Sequence, residues 1–280
     1  MHASVREDIQ GLVTYNVIPT QKVAMDKLDP FLFLNHHGPQ VFSANNKGLP
    51  FGAHPHKGFE TVTFILDGDI AHKDNSGHSS IIKAGGIQWM TAGKGIIHSE
   101  VSSNEFMKNG GNVEILQLWI NLPAKLKNAE PKYIGLEKDQ IPELTFDDGK
   151  VKVNLIGGQW GEEEAPFQSL TDVLMTTIEI ESEGSIRLPV DNSREVFFYV
   201  VSGAVRVNEQ DVEKRTLIEF DREGDHIFLQ GIKKAVVLFG TATPTNEPVV
   251  AKGPFVMNTQ EEIIQAYKDY REGKFGSPME

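Results

Sequence analysis

The chain has 280 residues, enough for one large or two ordinary domains with a buried core. It contains no cysteine, which excludes disulfides, zinc–thiolate sites, iron–sulfur clusters and thiol nucleophiles. Its 27 basic and 39 acidic residues give a net charge of −12, which repels a phosphate backbone; no basic patch offsets it, so direct nucleic-acid binding is not expected.

The first thirty residues scatter Arg6, Asp8, Asp26, Lys27 and Asp29 among apolar positions, so no secretory signal is expected. No apolar run reaches membrane-spanning length, and the expected location is the cytoplasm. Asp29-Pro30 reads as a turn into a buried strand over Phe31 to Leu34, and residues 35–50, rich in Gly, Asn and His, read as a loop in which His36 and His37 are ordinary loop histidines. Thr61 to Leu66 alternates as a strand, and Asp67-Gly68-Asp69 turns it. His72 and His78 follow in a polar hairpin. Ser80 to Lys83 and Ile87 to Thr91 are short strands around the turn Ala84-Gly85-Gly86. Ala92-Gly93-Lys94-Gly95 then bends the chain so that Ile96 to Val101 can return across the sheet. Ile115 to Asn121 is a strongly apolar strand.

Residues 123–142 change composition and read as a connection between domains. Short strands resume at Thr176 to Ile180, Ser185 to Leu188, Val196 to Val201, Ala204 to Asn208, Leu217 to Phe220, Ile227 to Leu229 and Ala235 to Phe239. So many short strands punctuated by glycine turns predict an all-β chain of sandwiches or barrels. One helix is expected, at the end: Thr259 caps it, Glu262 completes a capping box, Ile263, Ile264, Tyr267 and Tyr270 form its stripe, and Gly273 stops it. The expected division is 1–130 for a first domain, 131–145 for a linker, and 146–280 for a second domain carrying the helix.

The chemistry lies in His54-Pro55-His56 and His98-Ser99-Glu100. In a strand, side chains two apart point to one face, so each pair converges. Three imidazoles and one carboxylate suit a divalent first-row ion and leave two octahedral positions for exogenous ligands. Glu60 is expected as an inward acceptor for a histidine N–H. Phe51, Phe59 and Trp89 are candidates for stacking on an aromatic substrate, and Lys94 is expected to be a solvated lysine.

The chain also repeats itself. Glu60 precedes Gly68 by eight residues, as Glu195 precedes Gly203, and Gly85 corresponds to Gly224. Carried across, His54 and His56 fall on Pro189 and Asp191, while His98 and Glu100 fall near Val237 and Phe239. The second copy is therefore expected to be metal-free, with His226 a turn or surface residue.

Four blocks carry a family likeness: HPHKGFETVT at 54–63, QWMTAGKGIIHSE at 88–100, QLWINLP at 117–123 and GPFVMNT at 253–259. With these the sequence resembles the pirins of the cupin superfamily. The resemblance implies two tandem cupin barrels with a short C-terminal helix, and one metal in the first barrel, iron(II) by preference with Mn, Ni, Cu, Co or Zn also accommodated, held by His54, His56, His98 and Glu100. It further implies a dioxygenase of the quercetin 2,3-dioxygenase type, acting on a small aromatic substrate and O2, with Glu100 as general base. The same family likeness allows a second class, an iron-dependent redox-sensing regulator that engages a protein partner without turnover. Fold does not choose between them.

Overall fold

The computed structural model describes residues 1–277. Two compact units appear, each interrupted in sequence: one comprises Arg6–Ile18, Phe31–Lys138 and Thr245 onward, the other Met1–Val5, Pro19–Pro30 and Asp139–Pro244.

The first unit is a β-barrel of two antiparallel sheets. In the larger, Lys132–Leu136, Ile87–Thr91, Phe59–Asp67, Gly111–Asn121, Phe31–Phe42 and Thr14–Ile18 lie side by side in that order; the smaller runs Phe51–His56, Ile96–Val101, Asp69–Asp74, Ser79–Lys83. Phe59–Asp67 forms because Val62 and Phe64 alternate with Thr61, Thr63 and Ile65, and both faces are buried. Gly68 ends it at φ 87°, where an added Cβ would approach the Asn112 carbonyl oxygen to 2.8 Å. A short helix, Asn104–Asn109, is capped by the Ser103 side chain accepting from the Phe106 amide.

The second unit is built on one large antiparallel sheet ordered His2–Ala3, Thr216–Ile218, Glu195–Val207, His226–Ala242, Leu174–Ile180, Val151–Gly157, Glu143–Phe146. Its interior is apolar, with Phe198, Val237 and Phe239 fully buried in one cluster. Gly203, at φ 77°, kinks the Glu195–Val207 strand where its register against His226–Ala242 slips, so it plays the part that Gly68 plays in the first unit. The positions matching the histidine and glutamate pairs hold Pro189, Asp191, Val237 and Phe239. The last two are core.

Several expectations are corrected. The C-terminal segment belongs to the first unit, not the second: the Val256 amide donates to the Lys57 carbonyl at 3.1 Å, and the helix Gln260–Arg271 buries Ile263 and Ala266 with Phe255, Met257, Phe275 and Ile97. The capping box at Thr259 and Glu262 is present. Ile264, however, is 61% exposed, and Ala266 takes its place in the stripe. The linker is far shorter than 131–145, because Lys132–Leu136 pairs with Ile87–Thr91 and Glu143–Phe146 pairs with Val151–Gly157.

Residues 35–42 are strand, not loop, with both His36 and His37 buried. The His36 Nε2 lies 2.8 Å from the Glu114 carboxylate. The His37 Nδ1–H donates to the Thr14 hydroxyl at 2.9 Å, and that hydroxyl donates to the Leu12 carbonyl. Burial, with the nearby His36 adding to it, pushes the His37 pKa down to about 4. The folded value lies below the unfolded one of roughly 6.5, so the unfolded state binds the proton more readily as pH falls. Stability is whole above that value and is lost on acidification down to about pH 4, at about 1 kcal/mol per unit from this group. Urea melts of His37→Gln from pH 7 to 4 are expected to show a shallower acid decline than the parent; an identical slope would remove His37 from the account.

Candidate metal centre

The two short histidine segments meet because their strands are neighbours. Phe51–His56 pairs antiparallel with Ile96–Val101, placing His54 directly opposite His98 and His56 opposite Ile96. The turn at Gly93 and Gly95, both at positive φ, returns the chain for this pairing. Ring centroids of His54 and His98 are 4.4 Å apart, those of His56 and His98 5.0 Å, and those of His54 and His56 4.8 Å. One nitrogen from each of the three lies within 4.8 Å of the others, an arrangement able to hold a metal ion.

The tautomers favour this. The His54 Nδ1–H donates to the Gly52 carbonyl at 2.7 Å, which directs Nε2 to the centre. The His56 Nδ1 faces the Pro254 carbonyl at 3.4 Å, while its Nε2 is buried without a partner. Neither nitrogen of His98 has one. An unsatisfied buried polar atom costs on the order of 1–3 kcal/mol, so orphaned nitrogens from two rings at one point fit an ion that would accept their lone pairs. Burial and the neighbouring His54 push the His56 pKa down to about 3, and burial with the surrounding imidazoles holds that of His98 well below its ordinary value. Both are neutral at ordinary pH, as ligation requires.

Glu100 stands beside the three rings but outside their tightest set. Its Oε2 is 4.0 Å from the His98 Nε2. The Thr63 hydroxyl donates to Oε1 at 2.8 Å and the Gln117 amide to Oε2 at 2.6 Å, so both oxygens are held while each keeps accepting capacity. Thr63 and Gln117 are partners in the larger sheet. The carboxylate therefore bridges the two sheets.

The aromatic surroundings differ from expectation. Trp89 is fully buried and donates to Glu60 at 3.1 Å, and it pairs in register with Val62, on the opposite face of the sheet from Thr63. Its place beside the histidines is taken by Trp119, whose ring lies 5.4 Å from His56 and stacks on Phe59 and Phe33 at 4.3 and 4.5 Å. Glu60 accepts from Trp89 and Thr91, while the Nδ1 atoms of His54 and His56 face backbone carbonyls. Phe51 packs on His37 at 5.1 Å. Lys94 is exposed and paired with Glu130.

His72 is buried on the Asp69–Asp74 strand, opposite Glu100, with its ring 5.4 Å from that of His98. Its Nε2 donates to Asp74 at 3.0 Å, and its ring stacks on Tyr133 at 3.8 Å. Burial would raise the Asp74 pKa, but hydrogen bonds from His72, Ser76 and the His78 amide outweigh it and hold the carboxyl below its ordinary range. His78 lies in the following turn on the same carboxylate. Gln117 and Trp119 were within reach of the sequence through their parity in one strand; Thr63 and Tyr133 carry no comparable signal.

Known proteins share this architecture. The family model described as Pirin matches residues 11–120, and that described as Pirin C-terminal cupin domain matches residues 175–276. A pirin-like protein of Caulobacter vibrioides is 38% identical over 249 residues, covering 88% of this chain and 87% of its own. Pirin-1 of Arabidopsis thaliana is 35% identical over 284 residues, covering 99% and 93%. The crystal structure of a quercetin 2,3-dioxygenase from Acinetobacter baumannii superposes with a TM-score of 0.92 at 35% identity, covering 99% of this chain and 96% of that one.

Proposed function

The chain belongs to the pirin family, and on that footing we propose that it is a metal-dependent oxidoreductase of the quercetin 2,3-dioxygenase type, opening a flavonol or similar enolic aromatic with O2. The observation that carries this reading is the convergence of three imidazoles on one point, two of them buried, neutral and with bare nitrogens. His54, His56 and His98, with Glu100 as fourth ligand, would hold one divalent ion, which we take to be iron(II). When bound, such an ion supplies Lewis acidity and a one-electron centre for O2.

The chain's own groups do the rest. Three neutral imidazoles and one carboxylate leave a divalent charge only partly offset, so the pocket favours an anionic substrate oxygen. Glu100 takes the proton of the enolic hydroxyl on a carboxylate oxygen, and the Thr63 and Gln117 donors keep that carboxylate aimed. Trp119, backed by the fully buried Phe59 and 5.4 Å from His56, supplies the aromatic surface beside the three rings against which a flat substrate would pack.

Protein purified without chelators is expected to carry about one iron per chain and, with quercetin in air, to consume one O2 and release one carbon monoxide per flavonol cleaved. His56→Ala is expected to abolish both. A fully loaded protein that consumes no O2 across a panel of enolic phenols would sink the enzyme reading and leave the redox-sensing regulator in its place.

A further inference from the structure

Four polar side chains stand in a row across the inner face of the larger sheet of the first barrel. Asn35 pairs in register with Gln117, Gln117 with Thr63, and Thr63 with Gln88. Residues directly opposite in antiparallel strands project to one face. Gln117 and Thr63 reach Glu100 from that face, and the Gln88 amide nitrogen reaches the Ile70 carbonyl of the smaller sheet at 3.4 Å, so all four point into the barrel.

The two middle members commit their donors to Glu100. The two outer ones are left open: Asn35 Oδ1 and Gln88 Oε1 are buried, and neither has a hydrogen-bond partner among the described residues. Asn35 is 6% exposed and Gln88 2%. The bond to Ile70 fixes which end of the Gln88 amide is the free oxygen. An amide oxygen accepts and cannot donate, so what completes this row must bring O–H or N–H groups. Native interiors rarely leave such acceptors bare, and two of them flank the carboxylate at the centre of the row.

We propose that Asn35 and Gln88 determine specificity by accepting from ring hydroxyls of the substrate, selecting polyhydroxylated phenols over those whose ring hydroxyls are missing or O-methylated. This rests on reading the barrel as the site of an enolic aromatic. The enolic hydroxyl that meets Glu100 is common to every flavonol. The oxygens at either end of the row choose among them.

The test is equilibrium binding to the metal-loaded full chain without O2, followed by quenching of tryptophan fluorescence. Three ligands share the 3-hydroxyflavone core: ring-hydroxylated, ring-O-methylated and unsubstituted. The parent protein is expected to prefer the hydroxylated ligand by roughly tenfold or more, the worth of one or two completed buried hydrogen bonds. Near-isosteric Gln88→Met and Asn35→Leu are expected to shrink that preference to about threefold or less at unchanged metal content. Equal affinities in the parent, no binding of any ligand, or a preference unchanged in both loaded variants would overturn the proposal and assign the two oxygens to ordered water. If a variant fails to fold, the ligand series on the parent decides alone. The dioxygenase reading fails differently, by absent O2 uptake while the hydroxyl preference persists.

Discussion

His98→Ala is expected to abolish metal binding while leaving the metal-free protein nearly as stable as its parent. His98 carries two orphaned nitrogens on a neutral ring packed against three other histidines. In the metal-free state those nitrogens are a liability, worth on the order of 1–3 kcal/mol against folding. Deleting the ring opens a cavity that costs a comparable amount, so the two effects cancel to within about 1 kcal/mol. The metal-bound state behaves otherwise. Ligand present at a thousand times its dissociation constant stabilises the fold by about 4 kcal/mol, which in a domain of this size raises Tm by roughly 10 °C. The parent should show that rise on adding iron(II) under reducing conditions. His98→Ala should show none, and metal analysis after gel filtration should find less than about a tenth of an equivalent. A variant whose metal-free form collapses would instead make His98 a structural residue.

Local features of the site are legible in the sequence, and features set by long-range register are not. The convergence of the pairs His54/His56 and His98/Glu100 is legible because parity in a strand is local: two residues fix it, and the turn at Gly93 and Gly95 does the rest. The polar lining of the barrel is not. Asn35, His36 and His37 look like loop composition, yet they lie in the strand Phe31–Phe42, where Asn35 points into a barrel whose interior is itself polar. The rule that polar runs lie outside fails where a barrel keeps polar side chains on its inner face. Trp89 reads as a stacking candidate and Trp119 does not, for a related reason. Both sit in apolar strands, and only the register through Val62 and Thr61 sends one away from the histidines and the other toward them.

Domain ends were the least legible feature. The repeat marks at Gly68 and Gly203 fall one in each compact unit, but the chain does not keep each unit contiguous. Residues after Thr245 return to the first unit, where Lys127 donates to the Gly58 and Val256 carbonyls and Phe255 is fully buried. The bond from Lys127 to Val256 spans 129 residues, and no local pattern encodes it. The His56 Nδ1 facing the Pro254 carbonyl at 3.4 Å is one consequence: the returning segment backs one of the three histidines that could hold a metal.

Glu100→Gln separates the two jobs assigned to the carboxylate, and activity is expected to fall by about a hundredfold to ten-thousandfold while at least half of the metal is retained. The replacement keeps shape but cannot take a proton at ordinary pH. It also faces two donors, Thr63 and Gln117, with an amide that offers one oxygen and one NH2 group. The tolerable arrangement turns the amide oxygen toward Gln117 and the NH2 toward Thr63, whose hydroxyl can rotate to accept. Flipping Gln117 instead would withdraw the oxygen that the Trp119 indole reaches at 3.4 Å. Tm of the metal-free variant should therefore stay within a few degrees of the parent. Gln117→Ala, which leaves the carboxylate charged but poorly aimed, should cost less, about tenfold. If Glu100→Gln instead sheds metal as completely as His98→Ala, the carboxylate's main work is ligation, and the proton must leave the substrate by another group. Retention of metal with loss of turnover would identify Glu100 as the base.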